Sequence, residues 1–329
     1  MSSRSVAVVG ATGAVGEAML RVLEARDFPV SRLVPLASER SAGKTVRFRG
    51  EDVPIAVLGD ESFRGVELAL FSAGASISRD FAPAAVAAGA LVVDNSSAFR
   101  MDPAIPLVVP EVNPDAIAAH RGIIANPNCS TIIMVVALEP IRRLSPLVRV
   151  VVSTYQAASG AGARGIDALR RELAGEILAA SPFPHRLAGN LIPRIDVVQE
   201  NGYTKEEMKM VLETRKILGL PVLSISATCV RVPVERAHSE SIQVTTETPL
   251  AIEAVREALS RAPGIRVIDA PREDRYPTPL AASGHDDVLV GRLRRHPAEE
   301  STYDLWVVGD QILKGAALNA VQIAERAFG

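Results

Sequence analysis

Cysteine is scarce: the chain of 329 residues holds only Cys129 and Cys229, at a separation that matches no zinc or paired-thiol motif. That excludes a disulfide framework and a metal cluster, no metal site is expected, and a reducing compartment suits the chain best. Long runs of Lys and Arg are also lacking, and the formal net charge is -2. A nucleic-acid or other polyanion partner therefore has no electrostatic support, and any phosphate recognition must be local. No apolar stretch approaches the roughly 20 residues that cross a bilayer. The start, MSSRSVAVVG, runs into a short apolar segment broken at once by Gly10, so no membrane contact and a cytoplasmic location are expected. Internal repeats and low-complexity linkers are missing too. What remains is length enough for two domains, each with its own apolar core.

The first part of the chain alternates. A β-branched run at Ser5 to Val9 leads into Gly10-Ala-Thr-Gly13-Ala-Val-Gly16 and then an apolar-periodic segment carrying Met19, Leu20, Val22 and Leu23. This predicts strand, tight turn and helix. Further runs at Arg32 to Ala37, Val66 to Phe71 and Ala90 to Val93, with an alanine-rich helix around Phe81 to Ala88, imply parallel βαβ units. A strand near Gly122 to Ala125 ends in Asn126-Pro-Asn-Cys129, followed by a buried helix, and the domain change is placed there. Later runs at Leu147 to Thr154, Val222 to Val234, Ser241 to Thr246, Asp287 to Leu293 and Thr302 to Val308 predict a mixed, largely antiparallel sheet. Thr204 and Glu207 form a capping box ahead of a helix over Met208 to Leu218 that stops at Gly219. The amphipathic segment Gln311 to Phe328 is expected to return to the first domain.

The G-x-x-G-x-x-G turn allows a sharp bend and close backbone approach to a pyrophosphate at a helix N-terminus, which supplies a positive dipole. Its spacing differs by one residue from the usual dinucleotide fingerprint, and a ligand-free βα turn would read the same way. After the second strand, Ser38, Arg40 and Ser41 can pair with a ribose 2′-phosphate, whereas an enzyme selective for NAD would place an acid there. NADP is favoured over NAD, with Glu39 discordant; an exposed basic loop is the competing interpretation. Cys129, in the first turn of a helix, is placed where unpaired amides lower a thiol pKa, although a small buried hydrophobe fits the position equally well. Cys229, inside an apolar strand, is read as such a hydrophobe.

Seven segments together resemble the signature blocks of the aspartate-semialdehyde dehydrogenase family, in order and over nearly the whole chain. They are Gly10 to Gly16, Asp94-Asn-Ser-Ser-Ala-Phe-Arg100, Asn126-Pro-Asn-Cys-Ser-Thr131, Tyr155-Gln-Ala-Ala-Ser-Gly160, Glu206-Glu-Met-Lys209, Arg231-Val-Pro-Val-Glu-Arg-Ala-His238 and Lys314-Gly-Ala-Ala-Leu-Asn319. The resemblance implies an α/β fold: a Rossmann-type NADP-binding domain over 1–128 with 311–329, and an α+β catalytic and dimerisation domain over 129–310 similar to that of glyceraldehyde-3-phosphate dehydrogenase. It implies a homodimer. Cys129 then matches the nucleophile, Gln156 the group orienting the acyl intermediate and His238 the general acid/base. Arg231 matches the ligand of the substrate carboxylate, Glu206 that of its ammonium, and Arg100 with Lys209 the phosphate ligands. Expected cofactor contacts are Gly10, Thr12, Gly13, Ala14, Val15, Gly16, Ser38, Arg40 and Ser41, then Ser72, Gly74, Ser159, Gly160, Gln311 and Asn319.

These residue types suit the chemistry. A guanidinium forks onto a carboxylate, an acid pairs with an ammonium, and Glu206 and Lys209, three apart on a helix, share one face. Without the resemblance, Glu206 and Lys209 would be a solvated ion pair, Arg231 an edge-strand charge, Gln156 a turn residue and His238 a surface histidine. His120, His185, His285 and His296 fall in no block and are read as surface or structural. The implied reaction links L-aspartate 4-semialdehyde, phosphate and NADP to L-4-aspartyl phosphate through a Cys129 thioester, on the route to lysine, threonine and methionine. N-acetyl-glutamyl-phosphate reductase shares the fold and thiol chemistry, but its acylated substrate nitrogen needs no acid such as Glu206. A non-catalytic paralogue would have lost the nucleophile. One departure is Asp310-Gln311, where the family often has Asp-Asn.

Overall fold

The computed structural model describes residues 2–41 and 43–329. Two compact units divide it, Met1–Asn128 with Ala316–Gly329, and Cys129–Gly315. Gln311 to Gly315 thus go with the second unit and not, as expected, with the first. The reason is local: buried Asp310 accepts hydrogen bonds from Arg236 Nε at 2.7 Å and Gly284 N at 2.7 Å, and Gln311 Oε1 accepts from Ala237 N at 2.9 Å.

In the first unit the elements run β1 (Arg4–Val9), α1 (Ala14–Ala25), β2 (Val30–Ala37), a hairpin of β3 (Thr45–Phe48) and β4 (Glu51–Pro54), β5 (Ala56–Val57), β6 (Leu68–Phe71), α2 (Ala75–Ala87), β7 (Leu91–Asp94) and β8 (Ile123–Ala125). Six strands pair in the order β5-β2-β1-β6-β7-β8, every pair parallel. Central strands of such a sheet are covered on both faces, which is why β6 is apolar throughout and β1 and β7 carry the apolar runs Val6 to Val9 and Leu91 to Val93. Strand order reverses between β1 and β6, and ligands of open α/β sheets bind beyond the carboxyl ends of the strands at that switch point. Helix α2 begins at Ala75, well before the expected Phe81, because Ser76, Ser78, Arg79 and Asp80 leave its first turns little apolar signal; Pro83 lies inside it. The C-terminal helix Leu318–Phe328 packs on α1 and β7.

The second unit comprises α3 (Cys129–Leu144), β9 (Leu147–Gln156), α4 (Ala163–Leu173), α5 (Lys205–Leu218), β10 (Ser224–Arg231), β11 (His238–Thr246), α6 (Ile252–Arg261), β12 (Ile265–Val267), α7 (Pro279–Ala282), β13 (Val288–Arg295) and β14 (Thr302–Gly309). Its sheet is mixed, in the order β10-β9-β11-β14-β13-β12, with β9 antiparallel to β11, β11 to β14 and β13 to β14. Strand β10 stops at Arg231, short of the expected Val234, as Pro233 has no amide for the ladder. Along β9, Val150, Val152, Thr154 and Gln156 are buried while Val151, Ser153 and Tyr155 are only half-buried. The buried face lies under α3 and α5. Val150 and Val152 each stabilise this register by roughly 1.5 to 3 kcal/mol of apolar burial, and a slip of one residue would turn Thr154 and Gln156 outward.

Candidate active site

On that covered face the sheet register assembles the site in rows. Arg231 at the end of β10 pairs with Gln156 at the end of β9, and His238 opens β11 one residue before Ser239, which pairs with Tyr155. One pleat further in, Thr154 is flanked by Cys229 on β10 and Glu240 on β11. Gln156, Arg231 and His238 are all buried, so three residues that composition would place at the surface are interior.

Hydrogen bonds fix their orientation. Gln156 Nε2 donates to Thr154 Oγ1 at 3.2 Å and to Glu206 Oε1 at 3.3 Å. Glu206 Oε2 accepts from Lys209 Nζ at 2.9 Å, and Lys209 also reaches Asp196 Oδ2 at 3.1 Å. Helix α5, started by the Thr204 and Glu207 capping box, thus turns Glu206 inward against the sheet. This is a network tied to Gln156, not a solvated surface pair. Burial works against the Lys209 ammonium, but the carboxylates of Glu206 and Asp196 outweigh it and hold its pKa above the ordinary 10.5. Arg231 Nη1 donates to the Ala157 carbonyl at 2.6 Å; burial lowers its pKa, opposed by Glu206, Cys129 and Cys229. The Ala157 amide donates to His238 Nδ1 at 3.1 Å. Complete burial, and after it the Arg231 charge, hold His238 well below its ordinary 6.5.

Cys129 is the first residue of α3, half-buried, as its sequence position predicts. A Cβ on Gly315 would come 2.9 Å from Cys129 Cβ, so only glycine lets that segment pass the thiol. Gly160, expected among the cofactor contacts, packs against two site residues: a Cβ there would lie 2.5 Å from Arg231 Nη1 and 3.3 Å from the Nε2 and Cε1 edge of His238. Ser159 accepts a short hydrogen bond from Gln311 Nε2, and Gln311 spends its other amide atom on Ala237. Cys229 is buried, and desolvation pushes its thiol far above the ordinary range, in keeping with a packed hydrophobe. Of the other histidines, His120 Nδ1 accepts from Gly122 N at 3.1 Å and His296 Nδ1 from Ala298 N at 3.2 Å, both local turn contacts.

In the first unit a cavity of about 720 Å³ opens at the carboxyl ends of β1, β2 and β6. Gly10, Thr12, Gly13, Ser38, Arg40 and Ser72 line it, and so does Glu39. Gly10 has φ +85°, and a Cβ on Gly16 would lie 2.1 Å from the Gly10 carbonyl, so the turn needs glycine at both ends. Its size, the exposed amides at the start of α1 and the guanidinium at its rim fit a nucleotide diphosphate. Other expected contacts are outside the residues that line this cavity. Ala14, Val15 and Gly16 belong to the first turn of α1, Ser41 is buried with its hydroxyl 3.5 Å from that of Thr12, and Gly74 caps α2. Asn319, also expected to touch cofactor, is fully buried; its Nδ2 donates to Asn126 Oδ1 at 2.6 Å and to Val108 O at 3.0 Å. Asn126 in turn donates to Asn95 Oδ1 at 2.6 Å, and the Asn95 carbonyl accepts from Arg100 Nη2 at 2.9 Å. Arg100 is therefore held from behind by an amide chain that sequence reading missed. So were Thr154, Asp196 and Glu240, none of which carries a signal of its own.

Family models match both units. "Semialdehyde dehydrogenase, NAD binding domain" covers residues 5–120 and "Semialdehyde dehydrogenase, dimerisation domain" covers residues 138–314. Aspartate-semialdehyde dehydrogenase of Aquifex aeolicus is 54% identical over 97% of this chain and 96% of its own, and that of Bacillus subtilis 50% identical over 97% and 96%. The crystal structure of aspartate semialdehyde dehydrogenase II of Vibrio cholerae complexed with ASA superposes with a TM-score of 0.96 at 49% identity, covering 99% of this chain and 98% of that one. A Candida albicans aspartate semialdehyde dehydrogenase with NADP superposes at a TM-score of 0.77 and 25% identity, each chain covered to 98%. The first unit is a nicotinamide-nucleotide domain, no helix among the described residues is long and apolar enough to cross a membrane, and the chain is an oxidoreductase. Both domains and the full length agree: this chain belongs to the aspartate-semialdehyde dehydrogenase family.

Proposed function

We propose that this enzyme reduces L-4-aspartyl phosphate to L-aspartate 4-semialdehyde with NADPH, and runs the reverse phosphorylating oxidation, through a thioester on Cys129. The observation that carries it is the row of Arg231, Gln156 and His238 with the Glu206 and Lys209 pair bonded to it. One site then offers a fork for a carboxylate, an acid for an ammonium and an ammonium for a phosphate. The Cys129 thiolate attacks the acyl carbon and displaces phosphate, for which Lys209 and Arg100 are the cationic ligands. Gln156, anchored by Thr154, orients the acyl group, and Arg231 with Glu206 reads the α-carboxylate and α-ammonium. When bound, the nicotinamide would supply hydride for the thioester carbon, or take it in reverse.

NADP is preferred in this reading because Arg40 and Ser38 line the nucleotide cavity where a 2′-phosphate needs positive donors, although Glu39 shares the wall. The buried Glu206 favours a substrate with a free ammonium over the N-acetylated substrate of the related reductase. The second domain, matched as a dimerisation domain, supports a homodimer, and a free catalytic thiol suits the cytoplasm. The test is phosphate-dependent NADP reduction with L-aspartate 4-semialdehyde against N-acetylglutamate 5-semialdehyde, in the unmutated enzyme and in Cys129→Ala. Turnover should be confined to the first substrate and lost in the variant, which still binds NADP. Substantial turnover without Cys129 would sink the thioester.

A further inference from the structure

Beside the end of β10 a short extended segment carries a second guanidinium next to Arg231. Ile192 N donates to the Arg231 carbonyl at 3.0 Å and Arg231 N to the Ile192 carbonyl at 2.8 Å, an antiparallel bridge. Pro193 follows, and the residue before a proline is held extended. Arg194 is then the diagonal cross-strand neighbour of Arg231, at a separation of roughly 7 to 8 Å that two long side chains span with ease. Both arginines line one cavity of about 500 Å³, with Pro182, Phe183 and Ile192 in its apolar wall. Of the catalytic row only Arg231 borders it; Gln156 and His238 are not among the lining residues, nor is Cys129.

Neither guanidinium is bonded to a carboxylate among the described residues. Arg231 is buried, spends Nη1 on the Ala157 carbonyl and has its guanidinium carbon 5.9 Å from the centre of the Phe183 ring, which leaves Nε and Nη2 without a protein partner. Arg194 is exposed and makes no hydrogen bond or ion pair there. The one carboxylate on the same wall, Asp196, is already taken by Lys209 Nζ at 3.1 Å and by the Val197 amide at 2.9 Å. Two like charges set side by side raise the free energy of the empty cavity, and a carboxylate on each fork removes that repulsion. An apolar stem between the carboxylates matches the wall of Pro182, Phe183 and Ile192. With Asp196 engaged, nothing on the wall is free to pair an ammonium.

Resting on the reading of Arg231 as the ligand of the substrate carboxylate, we propose that this cavity is a binding site for short aliphatic dicarboxylates without an amino group. One carboxylate sits on Arg231 and the other on Arg194, and the ligand inhibits by taking Arg231 away from the substrate. The site is separate from the catalytic row and shares one side chain with it. Arg194 has no part in turnover itself.

The test uses the full-length enzyme with glutarate as probe and butyrate, which has one carboxylate, as control. Calorimetric titration should show glutarate binding more tightly than butyrate. Arg194→Gln should weaken glutarate by at least about tenfold, the low end for a charge-assisted contact at an exposed rim, and leave butyrate unchanged. In turnover, glutarate should raise the KM for L-aspartate 4-semialdehyde without lowering kcat, and Arg194→Gln should relieve that inhibition while keeping the parent kcat and KM in its absence. Glutarate held no better than butyrate, or held equally by parent and variant, overturns the proposed site. Binding that needs Arg194 yet leaves the aldehyde KM unmoved keeps the site and overturns instead the reading of Arg231 as the substrate's ligand.

Discussion

Glu240 is a carboxyl in the wrong medium, and Glu240→Gln should make the protein more stable as pH rises. Its side chain is fully buried on β11, between Thr154 of β9 and Val307 of β14 in register. Neither oxygen has a hydrogen-bond partner among the described residues. Burial is the one influence resolved on this carboxyl. Desolvation therefore raises its pKa well above the ordinary 4.5. A raised folded pKa means that this group's contribution is fully present below pH 4.5 and is lost as pH climbs toward the folded value, since the unfolded chain releases the proton first. In that window the loss is about 1.4 kcal/mol per pH unit. An amide of the same shape does not titrate. Other groups contribute equally to both proteins and cancel in the difference. Urea unfolding at fixed protein concentration from pH 4.5 to 7.5, followed by the lone Trp306 on β14, should show the variant gaining on the parent with that slope. Two parallel stability curves would refute the reasoning, because they would mean that Glu240 titrates in its ordinary range.

Arg40→Ala should narrow the preference for NADP over NAD by about tenfold, or about 1.4 kcal/mol, the low end for a charge-assisted hydrogen bond because the side chain is exposed; equal efficiency with both cofactors in the parent enzyme would remove the premise. Gly160→Ala puts a methyl 2.5 Å from Arg231 Nη1, a guanidinium already held by the Ala157 carbonyl, so the fork must move. Its KM for the aldehyde should rise about tenfold, on the scale of one lost charge-assisted bond, with thermal stability close to that of the parent. An unchanged KM would show that Arg231 does not read the substrate.

Local signals carried much of the architecture. The Gly10 to Gly16 turn, the capping box at Thr204 and the helix start at Cys129 depend on residues a few positions apart, so they were legible along the chain. Both sheets could be read as types, one parallel and one mixed, from run length and spacing. The hairpin of β3 and β4 and the helices α4 and α6 were not foreseen, being short or mostly polar. The chemical residues were legible as types in an ordered set of blocks, which named Gln156, Arg231 and His238 without saying how they meet.

Their meeting depends on strand register, which no local pattern encodes. Pairing of β9 with β10 and β11 brings Arg231, Gln156 and His238 into one row and Cys229, Thr154 and Glu240 into the next, across gaps of dozens of residues. The same long-range packing set Asn319 against Asn126 and Gly160 against Arg231 and His238. It also set the protonation chemistry. A sequence lists a histidine and a glutamate; only burial decides how readily each carries charge, because the cost of charge depends on the surroundings and not on the residue.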